Sequence, residues 1–246
     1  MLSSLQSEKK RRELNEKLIK YTLILAAAIS ILTTFGILFS ILFEAIEFFQ
    51  LRSFWYFLTG TIWSPGVANS QFGALPIFAG TFVITIIALL VAIPIGLGSA
   101  IYMSEYASPK FRDYLKPILE ILAGIPTVVY GFFAAITVAP LVVKVAAFFG
   151  LEATFNSALA SGIVMGIMII PLISSLSDDV IRAVPDSQRK AAFALGMTHG
   201  ETIKNIVIPS AMPGIISASL LALSRALGET MIVVMAAGLR PNLSWN

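Results

Sequence analysis

The stretch KAAFALGMTHGETIKNIVIP, residues 190–209, decides how the rest of this chain is read. It lies in the longest polar segment between apolar runs, 178–212, and its local signals describe two short helices joined by a turn. Pro185 suits a first helical turn, with Asp186 favourable beside the positive end of the helix dipole. Ala191, Ala192, Ala194 and Leu195 are good helix formers, and Gly196 can take the left-handed conformation that ends a helix. Thr198-His199-Gly200-Glu201 has the spacing of a capping box, so a second helix is expected to open there and run through Ile208. Pro209 and Pro213 are expected to break it before the next apolar run. Taken alone, such a hairpin is either a surface loop packed on its own protein or a docking element.

Its surroundings are unusually apolar. The 246 residues are 57% hydrophobic and 13% charged, with mean hydropathy +0.86. A soluble domain carries about 25% charged residues. Runs at 21–43, 76–103, 121–143 and 153–177 contain no Asp, Glu, Lys or Arg, and a fifth apolar run covers about 213–238. Each reaches the roughly 20 residues a helix needs to cross the hydrocarbon. The fold class is therefore an all-α polytopic membrane protein with five spans, a cytoplasmic segment 1–20, an outer loop 44–75 and the polar loop 178–212. The first run is too long for a signal-peptide core and no small-x-small cleavage site follows it, so it reads as a retained anchor. Zero Cys removes disulfides and thiol metal sites.

Positive charge sets the expected orientation. With the N-terminus in the cytoplasm, the inner segments hold thirteen of the 17 Lys and Arg, against Arg52, Lys144 and Arg240 outside and Arg225 within a span. Lys and Arg near span ends favour the cytoplasmic side. SEKKRRELNEKLIK (7–20) accordingly reads as an orientation signal with a short interfacial helix against membrane lipid, rather than as a nucleic-acid arm.

The last apolar run contains LSRALGETMIVVM (223–235), with Arg225 and Glu229 four residues apart. Arg225 lies twelve residues beyond Pro213, about 18 Å along a helix, and Glu229 falls on the same face one turn on. An Arg at the bilayer centre costs about 2.5 kcal/mol or more. Two leucines would cost less than even a paired Arg and Glu, so stability does not explain them. They either fix helix register against a partner subunit or face a translocation path. Arg suits an oxyanion because its planar fork is always charged and binds two oxygens at once. Ser224 and Thr230 flank the pair with hydroxyls, although helix hydroxyls often bond back to carbonyls.

The spacing K-A-A-x3-G-x9-I-x-I-P, built from Lys190, Ala191, Ala192, Gly196, Ile206, Ile208 and Pro209, resembles the EAA loop of ABC importer permeases. That pattern is E-A-A-x3-G-x9-I-x-L-P, so this chain departs at Lys190 and, conservatively, at Ile208. FGALPIFAGTFVITIIALLVAIPIGLGSAIYMSEYASP (72–109), GIPTVVYGFFA (124–134) and SRALGETMIVVMAAG (224–238) look like membrane subunits of bacterial phosphate-specific ABC importers. The GETM-x-V-x-M ending resembles the PstC-type subunit more than its PstA-type sibling, which carries GETAPL there.

The resemblance implies a type I importer (MetI-like) transmembrane fold, with a sixth span after the RALGET helix that is expected to be missing at the C-terminus. It implies that the seven loop positions insert into a cytosolic ATPase, with Lys190 removing whatever ion pair the usual Glu makes. Implied partners are a PstA-type permease, two ATPase copies and a periplasmic phosphate-binding protein at a bacterial inner membrane. The family carries its transport-critical charges at the RALGE motif, which implies a pathway role for Arg225 and Glu229. No G-x-x-x-x-G-K-[ST] occurs, so no phosphate-cradling loop for ATP is present. The resemblance therefore implies a non-catalytic subunit without a cofactor, ATP and Mg being used by the partner ATPase. The same machine moving molybdate or sulfate is the nearest alternative, and an ATP-independent anion channel or carrier is a more distant one.

Smaller features are read more plainly. Pro94, Gly96 and Gly98, and Pro126 and Pro140, mark either kinks or close helix packing. His199 opens a surface helix, Lys110 and Arg112 are orientation charges, and Trp55, Tyr56 and Trp63 are interfacial anchors.

Overall fold

The computed structural model describes residues 2–66 and 70–238, with the side chains of 2–11, 13 and 14 excepted. Lys9, Lys10, Arg11, Arg240 and the expected outer terminus at 239–246 therefore lie outside the described side chains or residues. The chain divides into two units, Met1–Leu58 and Thr59–Asn246.

The first unit is dominated by one helix, α1 (Leu2–Leu51). The expected boundary between an interfacial segment and a span at 21–43 does not exist as a break. No Pro interrupts these residues, so the basic segment, the apolar run and Glu44 and Glu47 continue as one helix. Its membrane-competent part is Asn15–Leu51. Thr22, Thr33 and Thr34 donate their hydroxyls to the carbonyls of Leu18, Ile29 and Ser30, so these groups need no water in lipid. α2 (Phe54–Thr59) folds back on the end of α1 through edge-to-face contacts of Phe48, Phe49, Phe54 and Phe57. The segment between α1 and α3 is thus 52–74 rather than 44–75.

The second unit opens with a small hairpin, β1 (Trp63–Ser64) antiparallel to β2 (Gln71–Phe72), with Trp63 facing Phe72. A Cβ on Gly73 would sit 2.3 Å from the Gly60 backbone, so only glycine fits at this approach. α3 (Leu75–Ile101) runs on through a π-helical turn, Tyr102–Tyr106, as one apolar helix. Pro94 does not break it.

α4 (Pro109–Ala123) is an amphipathic helix capped by Ser108, and it ends at Gly124-Ile125-Pro126. α5 (Thr127–Phe133), a π turn Ala134–Val138 and α6 (Ala139–Phe148) together form the third span. This span was expected at 121–143. Pro126, held extended, stops α4 and shifts the start to Thr127, which also brings Lys144 inside the span. The Tyr130 hydroxyl donates to the Leu122 carbonyl at 2.9 Å, a second bond to an acceptor that the Ile125 amide also reaches, and so ties the start of α5 to the end of α4.

α7 (Ala158–Arg182) begins later and ends later than the expected 153–177, because Ser157 caps it and its Asp178 and Asp179 find basic partners on α4. α8 (Asp186–Ala194) follows, and Gly196 turns the chain at φ +82°. α9 (His199–Thr202), a π turn Ile203–Val207 and α10 (Ile208–Leu227) then form one unbroken helix. The expected breaks at Pro209 and Pro213 are absent. Proline clashes with the carbonyl four residues earlier, and the wide π turn directly before Pro209 opens the backbone there. The span is therefore His199–Leu227 rather than 213–238, and α11 (Met231–Ala236) is a separate short helix.

α3 and α7 form the main seam of the second unit. Small residues set its closeness: a Cβ on Gly162 would meet Ile87 at 2.6 Å, one on Gly166 would meet Val91 at 2.8 Å, and one on Gly96 would meet Ile173 at 2.9 Å. Gly96 is thus a packing residue, whereas Gly98 faces open space. Ala88, Ala92, Val164, Ile169 and Ile173 fill the main cluster with Ala222, Ala226 and Ile232. A second cluster, with Ala100, Ile181, Val184, Val207, Ala211 and Ile215, lies where the hairpin meets the spans.

Candidate functional site

Two regions hold the residues singled out from sequence. The first is the hairpin. The capping box forms as read: Thr198 donates its amide to Glu201 Oε2 at 2.8 Å, and Thr198 Oγ1 accepts from the Glu201 amide. Of the seven loop positions, Ala191, Ala192, Ile206 and Pro209 line an open groove of about 550 Å³ with Leu195 and Met197. Lys190 is exposed beside it, and Gly196 makes the turn. Ile208 points elsewhere, onto the second cluster. Phe193 and Leu195 are exposed apolar residues at the tip, Leu195 at 81%. A short rigid knob with an apolar tip beside a shallow groove is suited to docking.

Beneath the hairpin lies a set of ion pairs that sequence reading missed. Arg112 of α4 donates from Nε and Nη2 to Asp178 at 3.0 and 2.6 Å, and Lys116 reaches Asp179 at 2.6 Å. Asp178 is 1% exposed. The hydrogen bond from Arg112 to Asp178 raises the guanidinium pKa above its ordinary value, against the opposing effect of burial. Arg112 is therefore a structural ligand of a buried carboxylate, not only an orientation charge. Arg189 of α8 pairs with Glu105 in the π turn at the end of α3, whose side chain is 4% exposed. A carboxylate at the end of an apolar run, as in IYMSEY, was the available signal, but its partner lies far away in sequence.

The second region is the break between α10 and α11. Arg225 sits in the last turn of α10, and Gly228 caps that helix. The expected side-by-side arrangement of Arg225 and Glu229 on one helix face does not form, because the helix ends between them. Among the described residues no ion pair joins them. Glu229 instead accepts from the amides of Met231 and Ile232 at 3.0 and 3.4 Å, occupying the positive end of α11. Arg225, Ser224 and Thr230 are exposed, and Glu229 is half-buried. The arrangement leaves a guanidinium available at an interrupted helix, with its tail near the favourable carbonyl end of α10.

Five long apolar helices, three of them carrying π turns, and a helix–Gly–helix hairpin at the end of one helical seam define a multi-pass helical membrane protein. Residues 92–241 match the family described as binding-protein-dependent transport system inner membrane component, and the chain belongs to that family. Its relatives include the probable ABC transporter permease protein YqgH of Bacillus subtilis, 38% identical over 74% of this chain and 58% of that one. The phosphate transport system permease protein PstC of Mesorhizobium japonicum is 35% identical over 87% of this chain and 69% of that one. PstC 1 of Mycobacterium tuberculosis is 34% identical over 74% and 63%. The chain thus spans about three-fifths of the length of several curated relatives it matches. The MetNI methionine ABC transporter overlaps more loosely, with TM-score 0.44 and 19% identity over 63% of this chain and 68% of that one.

Proposed function

We propose that this chain is a permease subunit of an ATP-driven importer for inorganic phosphate in a bacterial inner membrane, with its N-terminus in the cytoplasm. Several relatives are named phosphate transport system permease protein, and the family is that of membrane components served by binding proteins. The observation that carries the substrate reading is Arg225. It is exposed on an apolar helix, and Glu229, the carboxylate expected to neutralise it, is bound to backbone amides instead. A charge so placed faces a polar path or a partner subunit rather than lipid.

In this reading the second permease, of PstA type, completes the path opposite Arg225. Arg225 presents two donors to a phosphate crossing between the subunits, with Ser224 and Thr230 as neighbouring hydroxyls. Glu229 holds the end of α11 and supplies negative charge near the path, so that phosphate is not retained. Two ATPase copies receive the hairpins through Lys190, Ala191, Ala192, Gly196, Ile206, Ile208 and Pro209, with Lys190, Ala191 and Pro209 at the surface and Ala192 and Ile208 as inward anchors. ATP and Mg are used by those chains, and a periplasmic phosphate-binding protein delivers the substrate. Transport proceeds by alternating access.

The test is phosphate uptake by cells in which this chain, with its partner subunits, is the sole high-affinity route. Arg225→Gln is expected to lower uptake at least about 10-fold, the equivalent of one lost charged hydrogen bond, while the complex still assembles. Uptake at the wild-type rate would exclude Arg225 from the path.

A further inference from the structure

Besides the apolar contacts of Val184 and Val207, one guanidinium ties the first arm of the hairpin to the spans. Of the residues of α8, Ala192 alone is buried. Arg189, on the same helix, bonds to Glu105 with Nη1 and donates from Nη2 to the Ile181 carbonyl at 2.9 Å. Its Nε lies 3.8 Å from Asp186. One planar fork therefore joins α8 to the end of α3 and to the last turn of α7, where a helix leaves carbonyls open.

The hairpin grips the same place a second time. His199, which starts the next helix, lies with Nε2 3.3 Å from the Glu105 carbonyl oxygen. Its ring meets Tyr106 edge-on at 5.2 Å and stacks on Phe193 of α8 at 6.3 Å. Glu105 and Tyr106 both belong to the π turn that ends α3. Such turns interrupt the regular helical hydrogen-bond ladder and are frequent at functional sites.

We propose that Arg189 and Glu105 are the positioning residues through which movement of the hairpin is passed to α3. The pair links the docking element to the π-helical end of α3, and the Ile181 carbonyl ties in α7. A buried carboxylate makes the link stiff, because separating the charges leaves Glu105 unpaired where water does not reach it. This rests on the importer reading, since it needs a partner that moves the hairpin.

The experiment uses the assembled complex with its ATPase and second permease in proteoliposomes, and reads phosphate moved per ATP hydrolysed. Glu105→Gln and Arg189→Gln are expected to lower that ratio at least about 5-fold, the low end of measured coupling energies, while the ATPase remains bound and active. Arg189→Lys keeps a charge for Glu105 but loses the forked bond to Ile181, and an intermediate ratio is expected. The reversed pair Glu105→Arg with Arg189→Glu should recover much of the loss. A wild-type ratio in all single variants overturns the proposal. So does a fall in transport and ATP hydrolysis in equal proportion, the mark of a merely structural pair, or a reversed pair that assembles and recovers nothing. A wild-type complex that hydrolyses ATP but moves no phosphate defeats the importer reading itself, and the proposal with it.

Discussion

Arg225 and Glu229 show how much a single helix end changes. Read as i and i+4 on a continuous helix, they are a pair, but with α10 ending at Leu227 they are neighbours with separate tasks. Glu229 bonds to the amides of Met231 and Ile232, a role its amide isostere can still fill through one oxygen. Glu229→Gln is therefore expected to keep α11 in place, whereas Glu229→Ala loses about 1 kcal/mol of capping. If capping is the task, uptake by the Gln variant exceeds that of the Ala variant by several-fold; equal losses would show that the negative charge itself is what matters. Asp178 makes the same point for burial. Asp178→Ala leaves Arg112 half-buried without its main partner, and a loss of roughly 3 kcal/mol or more is expected in detergent unfolding. Replacing both with apolar residues should cost less than replacing Asp178 alone. These partners were not legible in the sequence, because 178 and 112 are joined by folding and not by any local spacing. What was legible was that charges within apolar runs require an explanation.

At the scale of elements, the capping box at Thr198–Glu201, the turn at Gly196 and the start of α8 follow from local chemistry and stand where they were expected. The prolines do not. Pro126 follows the end of a helix at Gly124 and Ile125, while Pro94, Pro171 and Pro213 lie inside helices that continue past them. A proline rule taken from soluble helices overstates the break, since packed spans satisfy the freed carbonyls in other ways. The glycines separate by contact. Gly166→Val would drive its side chain into Val91 and the Ala88 carbonyl, and a loss of about 1–3 kcal/mol is expected from overpacking. Gly98→Ala meets nothing and, inside a helix, should keep or raise stability in detergent, by about 0.5–1 kcal/mol at most. A stable Gly166→Val protein would mean that α3 and α7 do not pack as closely as described.

Over the whole molecule, composition alone establishes a polytopic helical chain, because no soluble fold tolerates so little charge among so many apolar residues. The order of the spans was also legible, but their limits shifted wherever a charge found a partner or a helix ran past its apolar part. α1 is the clearest case, with a span and a basic segment merged into one rod. The hairpin, the ion pairs beneath it and the helix break at Arg225 lie along one connected set of helices, α3, α7 and α10. This gives the account its central claim: ATP-driven movement at the hairpin opens a path for phosphate past Arg225. The most direct measurement is uptake of labelled phosphate into proteoliposomes holding the complete complex, with and without ATP, for the wild type and Arg225→Gln. The account predicts ATP-dependent uptake in the wild type that excess sulfate or molybdate does not compete away, and none above background in the variant. Wild-type uptake that needs no ATP, that sulfate or molybdate abolishes, or that the variant retains would contradict it.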